Sequence, residues 1–142
     1  MKKAYKILLF LLVFIPSFSS AQCKHFTKNK VLPKLNGYVQ NDTYNSTQMA
    51  PGWDAEVMIT FFGGRDYRLL VDAHPILGEV EFTVSDTNGK QIHSNKDTQN
   101  KESFDFKMKN TQQLVIKVKV PEQKNTLIQH IGCVSIVSGF KK

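Results

Sequence analysis

Asp72 and His74 are the two residues whose types and spacing best fit a chemical role. They lie two positions apart, so on a β-strand both side chains would share one face. An aspartate can orient a histidine for general-base catalysis, and both residue types can bind a metal. The sequence has no third ligand at metal spacing and no serine or cysteine placed as a nucleophile. The pair fits either a small hydrolase or a surface pair beside a turn, and we expect the second, with no metal and no cofactor.

Cys23 and Cys133 are the only cysteines of the 142-residue chain. Two cysteines in an exported protein indicate one disulfide, which would join positions 110 residues apart. For a loop of that length the chain-entropy model gives roughly 4–5 kcal/mol of stabilisation. A lipid anchor at Cys23 and two free thiols are the alternatives. The anchor is disfavoured because Gln22 stands where a lipoprotein needs a small residue.

Three aromatic residues, Tyr38, Tyr44 and Trp53, are the candidate ligand-binding residues. They lie in one irregular, polar stretch, and exposed aromatic side chains can stack on sugars or hold a protein partner. The alternative for Trp53, which we favour, is that its side chain closes one end of the domain.

The N-terminal residues have the order of a secretory signal peptide. A basic start, MKKAYK, precedes the apolar run ILLFLLVFI, and SFSSA supplies the small residues that predict cleavage after Ala21. The apolar run is too short to span a bilayer, which takes about 20 residues. We therefore expect an exported protein, periplasmic or extracellular, with no stable membrane insertion after cleavage.

The charge balance argues against a nucleic-acid partner. The chain has 19 basic and 12 acidic residues, and three of the lysines but no acidic residue belong to the predicted signal peptide. The mature residues 22–142 thus carry 16 basic and 12 acidic residues, a net charge of +4. Such a mildly cationic domain does not have the strong positive charge that nucleic-acid binding needs.

Alternation of apolar and polar residues is the main structural signal after residue 54. It predicts strands near residues 55–62, 65–73, 79–86, 91–95, 103–109, 113–120 and 131–140, with Asn88-Gly89 as a hairpin turn. The sequence shows no alternation of strands with helices, so a parallel sheet is disfavoured. We predict an all-β fold, an antiparallel two-sheet sandwich of jelly-roll or immunoglobulin-like type, with a closed barrel as the alternative.

Residues 22–54 are less regular than the predicted sandwich core, residues 55–142. They hold few apolar residues and many Asn, Ser and Thr, with an edge strand predicted near residues 35–40. If Cys23 is bridged to Cys133, this segment must run back to the last strand, where it would cover a sheet edge.

The stretches AEVMITFFGGRDYRLLV, LGEVEFTVSDTNG, TQQLVIKVKVP and GCVSIVSGF resemble small secreted β-sandwich proteins of bacteroidete-type bacteria that are themselves uncharacterised. More distantly, the pattern is similar to the pre-peptidase C-terminal-like module, a β-sandwich found beside secreted peptidases. The positions that match its strands are Tyr67, Leu69, Val71, Val80, Phe82, Val84 and Asp86. The resemblance implies a sandwich that accompanies chemistry without performing it.

We therefore expect a secreted, non-catalytic binding or accessory protein of the bacterial envelope, a monomer whose partner is a protein or a glycan. The first alternative is a periplasmic enzyme inhibitor that inserts a loop into its target, with residues 28–48 as the inserting segment. The second is the small hydrolase that would use Asp72 and His74.

Overall fold

The computed structural model describes residues 19–41, 44–124 and 127–142, and these residues are mostly β-strand. The strands are β1 (Val39–Gln40), β2 (Asn45–Met49), β3 (Asp54–Phe61), β4 (Arg65–Ala73), β5 (Glu81–Asp86), β6 (Gln91–Ser94), β7 (Ser103–Met108), β8 (Gln112–Lys119) and β9 (Gly132–Phe140). The helical elements are α1 (Ser19–Phe26), a π-helical turn (Thr27–Val31) and 3-10 turns at Leu32–Leu35, Pro75–Leu77 and Asn95–Thr98. Most of the predicted signal peptide, residues 1–18, lies outside the described residues.

The strands form two antiparallel sheets, which confirms the all-β, two-sheet sandwich. The first sheet has the order β1-β9-β4-β7, and β2 also pairs with β9. The second sheet has the order β3-β8-β5-β6. Among the described residues no strand of one sheet pairs with a strand of the other, so the closed-barrel alternative is wrong.

The core lies between the sheets and is built by the predicted alternation. On β4 the side chains of Tyr67, Leu69 and Val71 are buried in it, and those of Phe82 and Val84 come from β5 of the facing sheet. The inward residues of β8 complete this core together with Val134 and Ile136 of β9. Period-two burial of this kind follows from strands whose successive side chains point to opposite faces.

Strand β9 departs from that alternation, because eight of its nine residues are buried. Its inner face belongs to the core, and its outer face is covered by residues 19–35, which we call the N-terminal layer. On this outer face, Val31 and Leu35 of the layer pack on Leu70 of β4 and Val137 of β9. The layer explains why Leu70, on the outer face of β4, is as buried as its inward neighbours.

A disulfide fixes the N-terminal layer to β9, which confirms the predicted pairing of Cys23 with Cys133. The Cα atoms of the two cysteines are 5.2 Å apart, and neither sulfur is free to carry a lipid. Next to the bridge, Thr27 donates a hydrogen bond of 2.8 Å to the Cys23 carbonyl and also bonds the hydroxyl of buried Ser135. Since the Thr27 proton goes to the carbonyl, the Ser135 hydroxyl donates to Thr27.

The residues that follow the layer cover an edge of the first sheet, as the sequence predicts. Strand β1 pairs with the end of β9 and β2 pairs with its beginning, each antiparallel. Gly139 allows the layer to come this close, because a Cβ there would lie 2.9 Å from the Leu35 Cδ2 atom. The described residues of the segment 28–48 therefore pair with β9 or pack on the sandwich, and their role as an inserting loop stays a prediction.

Candidate functional site

Asp72 and His74 line a cleft between the N-terminal layer and the end of β4. The cleft has a volume of about 530 Å³, with Phe26, Ala73 and Pro75 among its apolar residues and His25, Lys30 and Lys34 among its polar ones. Its two sequence-predicted residues have separate partners.

Asp72 is held by an ion pair. Its Oδ2 atom is 2.7 Å from the Lys34 ammonium, which also bonds the Glu102 carboxylate at 2.7 Å. Burial lowers the pKa of Lys34, but the hydrogen bonds and charges of both carboxylates outweigh this and raise it overall. Asp72 Oδ1 accepts the backbone N–H of Ala73 at 2.9 Å. These contacts tie the N-terminal layer to β4.

His74 begins the 3-10 turn Pro75–Leu77. Its Nδ1 atom accepts the N–H of Ile76 at 3.3 Å, so Nδ1 carries no proton in this arrangement. Its ring lies 6.0 Å from that of Phe26. A general base must lie within reach of the group whose proton it abstracts, and the described residues that line the cleft include no serine, threonine or cysteine. Across the described part of the chain no three His, Cys, Asp or Glu side chains group as metal ligands.

The three candidate aromatic residues do not form one binding surface. Val39, beside Tyr38, pairs with Phe140, whereas Met49, four residues before Trp53, pairs with Gly132. Eight residues of β9 separate these pairs, which at about 3.4 Å per residue places them roughly 27 Å apart.

Tyr38 and Tyr44 both have packing partners. The guanidinium of Arg68 lies 4.6 Å from the ring centroid of Tyr38. Both tyrosines pack against the apolar contact between the N-terminal layer and the first sheet. Arg68 also makes two hydrogen bonds with Asp105, of 2.8 and 2.7 Å, which hold the pKa of that carboxyl below its usual value. The contacts of Tyr38 therefore stabilise the outer face of the first sheet.

Trp53 is half exposed, and the expectation that its side chain closes one end of the domain stays a prediction. Its backbone is fixed by the turn between β2 and β3, where its carbonyl accepts the N–H of Val120 at 2.9 Å. This turn lies where β8 ends and β9 begins.

The same end of the sandwich carries further exposed apolar side chains. We call this set the apolar end; its members are Trp53, Ile76, Leu127, Ile128 and Ile131. Leu127 is fully exposed, and Ile128 and Ile131 are 69% and 57% exposed. Scattered apolar residues are normal on a surface, but a group at one end of a domain is typical of an interaction site.

The loop between β8 and β9, residues 120–131, supplies three members of the apolar end and is attached at both sides. At its start Gln123 donates a hydrogen bond of 3.2 Å to the Ile76 carbonyl. At its end Gly132 lies against the 3-10 turn, since a Cβ there would be 2.8 Å from Leu77 Cγ, and Cys133 carries the disulfide.

Sequence patterns missed this site. Residues 127–131 read LIQHI, and they fall almost entirely between the strands predicted at residues 113–120 and 131–140. The available signal was the presence of three aliphatic residues in a segment without strand alternation. Aliphatic residues in a loop have no core to enter and so indicate exposure or a partner.

Comparison with solved structures shows a protein whose fold is similar to that of this chain. The fold is similar to that of PliG from Aeromonas hydrophila, a periplasmic lysozyme inhibitor of g-type lysozyme, with a TM-score of 0.49 and 8% sequence identity. The alignment covers 74% of this chain and 89% of that protein. No protein-family model matches the sequence, and no curated protein does. Among the described residues no helix is long and apolar enough to cross a membrane.

Proposed function

We propose that the chain is an exported, non-catalytic β-sandwich that binds a protein of the cell envelope through its apolar end. The observation that carries this proposal is the group of exposed apolar side chains on a loop whose end is fixed by the disulfide. Burying one such side chain in an interface contributes about 1.5–3 kcal/mol. A loop already held in place loses less conformational entropy on binding, so more of that energy appears as affinity.

The chemistry of the apolar end favours a protein over a glycan. Sugars are recognised by stacking on flat aromatic rings together with polar groups, and this end has a single tryptophan among aliphatic side chains. Leucine and isoleucine fit an apolar pocket or groove of a folded protein. The disulfide supports an oxidising compartment as the place where the partner is met.

A more specific form of the proposal is inhibition of an enzyme by the β8–β9 loop. Among connections between consecutive strands in the described residues this loop is the longest, and its Leu127 is fully exposed. A loop with exposed aliphatic side chains that is attached at both ends can enter an active-site cleft without unfolding. In this proposal the β8–β9 loop is the inserting segment in place of residues 28–48, because the described residues of 28–48 pack on the sandwich.

A photo-crosslinking amino acid at position 127 tests the proposal. Ile92 of β6 is the matched control position, an exposed aliphatic residue far from the loop in the sheet order. The mature variants are expressed in the native organism and irradiated, and adducts are identified by mass spectrometry. We expect an envelope protein that is crosslinked from position 127 and not from position 92.

Equal adducts from both positions, or none from position 127, would contradict the proposed binding site. The inhibitor form needs a second assay, in which the purified chain is added to cell-wall hydrolases and their initial rates are followed. A g-type lysozyme belongs in that panel because it is the target named for the Aeromonas protein. If position 127 is crosslinked to an enzyme whose rate the purified chain does not lower, the binding site is supported and inhibition by the loop is excluded.

A further inference from the structure

The free edges of the two sheets differ in how well they are protected against pairing with another strand. Sheet edges that carry unpaired backbone groups are templates for a further strand, and soluble proteins shield them with short strands, bulges, prolines or lysines. Within the described residues the edge strands are β1 and β2, β7, β6 and β3.

Three of the edges have such protection. The β1–β2 edge is divided into pieces of two and five residues. Strand β6 has four residues, and its register with β5 shifts after Val84. Strand β7 carries the exposed charges of Asp105 and Lys107, and Asp105 is ion-paired to Arg68 of its neighbour.

Strand β3 has such protection only at its start, where Asp54 and Glu56 are exposed and Asp54 is ion-paired to Lys117 of β8. It is eight residues long, and its register with β8 is unbroken from Asp54 to Phe61. It contains no lysine, arginine or proline, and both of its charges fall in its first three residues. From Val57 to Phe61 its free edge is therefore regular and carries no charge.

The side chains of β3 are also incompletely covered. On the inner face Ala55, Val57 and Ile59 pack on the core but stay only partly buried, beside a cavity of about 220 Å³ that opens between β2 and β3. On the outer face Met58 is 54% exposed, and Phe62, just beyond the strand, is 47% exposed. Apolar residues that remain open on both faces of an edge strand are expected where another strand completes the sheet.

We propose that β3 pairs antiparallel with β3 of a second copy of this chain, about a two-fold axis through Met58. Such an interface is isologous, so each pair of residues occurs twice and must be compatible with itself. About this axis Val57 lies opposite Ile59 and Ala55 opposite Phe61, while on the outer face Met58 lies opposite Met58 of the second copy. The pairing extends the four-stranded sheet to eight strands and covers the exposed methionine.

The charges of β3 are compatible with this register and disfavour an axis nearer the start of the strand. Glu56 lies opposite Thr60, and Asp54 lies opposite Phe62, so no two like charges face each other directly. An axis through Val57 would instead bring Glu56 close to Glu56 of the second copy on a diagonal, which is unfavourable. The two-fold pairing replaces the monomer expected from the sequence, and it leaves the β8–β9 loop of each copy accessible at opposite ends of the dimer.

Two single-cysteine variants test the proposed register. Opposite residues of antiparallel strands have Cα atoms about 4.5–5.5 Å apart, which a disulfide can join. Residue 58 faces itself across the axis, so Met58→Cys should give a disulfide-linked dimer under mild oxidation. Thr60→Cys is the matched control, because its two copies would be about 14 Å apart along the paired strands. We expect at least a tenfold higher dimer yield from Met58→Cys at equal concentration, with thermal unfolding used to confirm that both variants fold.

Equal crosslinking of the two variants would overturn the register, since it indicates random collisions or thiol exchange with Cys23 and Cys133. Sedimentation of the unmodified chain provides a test that does not depend on either variant. A mass that rises to that of a dimer with concentration supports the proposal. A monomer mass at every concentration up to about 0.5 mM, which lies in the upper part of the 1 μM to 1 mM range of weak specific association, would overturn it.

Discussion

At the scale of single residues, most polar groups that could do chemistry have a structural partner. Asp72 is paired with Lys34, and His74 accepts the N–H of Ile76. The sequence shows the two residues side by side, but it cannot show that Lys34, 38 positions away, neutralises one of them. A spacing rule finds residues on a shared face, whereas the partner depends on tertiary packing that places the N-terminal layer on β4.

His93 is the described residue whose environment fits its ionised form least well. Its ring stacks on Phe104 with centroids 4.0 Å apart, and its Nε2 atom is buried without a hydrogen-bond partner. Burial lowers the pKa of His93 from its ordinary value of 6.5, although the charge of Asp97 acts in the opposite direction. The unfolded chain therefore binds the proton at a higher pH than the folded chain does.

This difference predicts loss of stability in mild acid. The contribution of neutral His93 is complete above pH 6.5, and it is lost as the pH falls from there through the lower folded pKa. We expect the thermal midpoint to fall between about pH 7.5 and pH 5, and the His93→Phe variant to show a smaller fall. His25→Gln, a change at an exposed histidine, is the control. Equal pH dependence of His93→Phe and the unmodified chain would contradict the prediction.

At the scale of elements, strands with one face in the core were predictable. Strands β5 and β8 alternate because Phe82, Val84, Ile116 and similar residues enter the core while their neighbours meet water. Strand β2, with the sequence NSTQM, has no such pattern, since backbone pairing with β9 holds it at an edge. Helix α1 was missed for a similar reason, because its position depends on one disulfide and the buried Thr27 hydroxyl.

The disulfide should contribute substantially to stability because it closes a long loop. Replacing both residues, Cys23→Ser with Cys133→Ser, is expected to lower the free energy of unfolding by about 2–5 kcal/mol, as measured by urea denaturation. Hydrogen exchange should speed up first in residues 19–35, since they lose their covalent link to β9. An unchanged free energy of unfolding, or uniform faster exchange in all strands, would show that the bridge does not hold the layer.

At the scale of the whole molecule, one side of the first sheet is covered by other residues of the chain, whereas two surfaces among the described residues expose apolar side chains. The N-terminal layer and the β1–β2 edge cover β9, and the bridge at Cys133 then fixes the start of that strand. The open surfaces are the apolar end and the edge of β3. They involve different residues, so partner binding and self-association can be tested independently.

The most direct measurement of the central claim is the affinity of the partner identified by crosslinking. Titrations would compare three proteins: the unmodified chain, the double variant Leu127→Ser with Ile128→Ser, and the single variant Ile92→Ser. Ile92→Ser is the control, because it makes the same type of change at an exposed residue of β6. Loss of two buried aliphatic side chains costs at least about 1.4 kcal/mol, so we predict that the double variant binds at least tenfold more weakly while Ile92→Ser binds as before. Equal affinity of all three proteins would contradict the claim that the apolar end is the binding site.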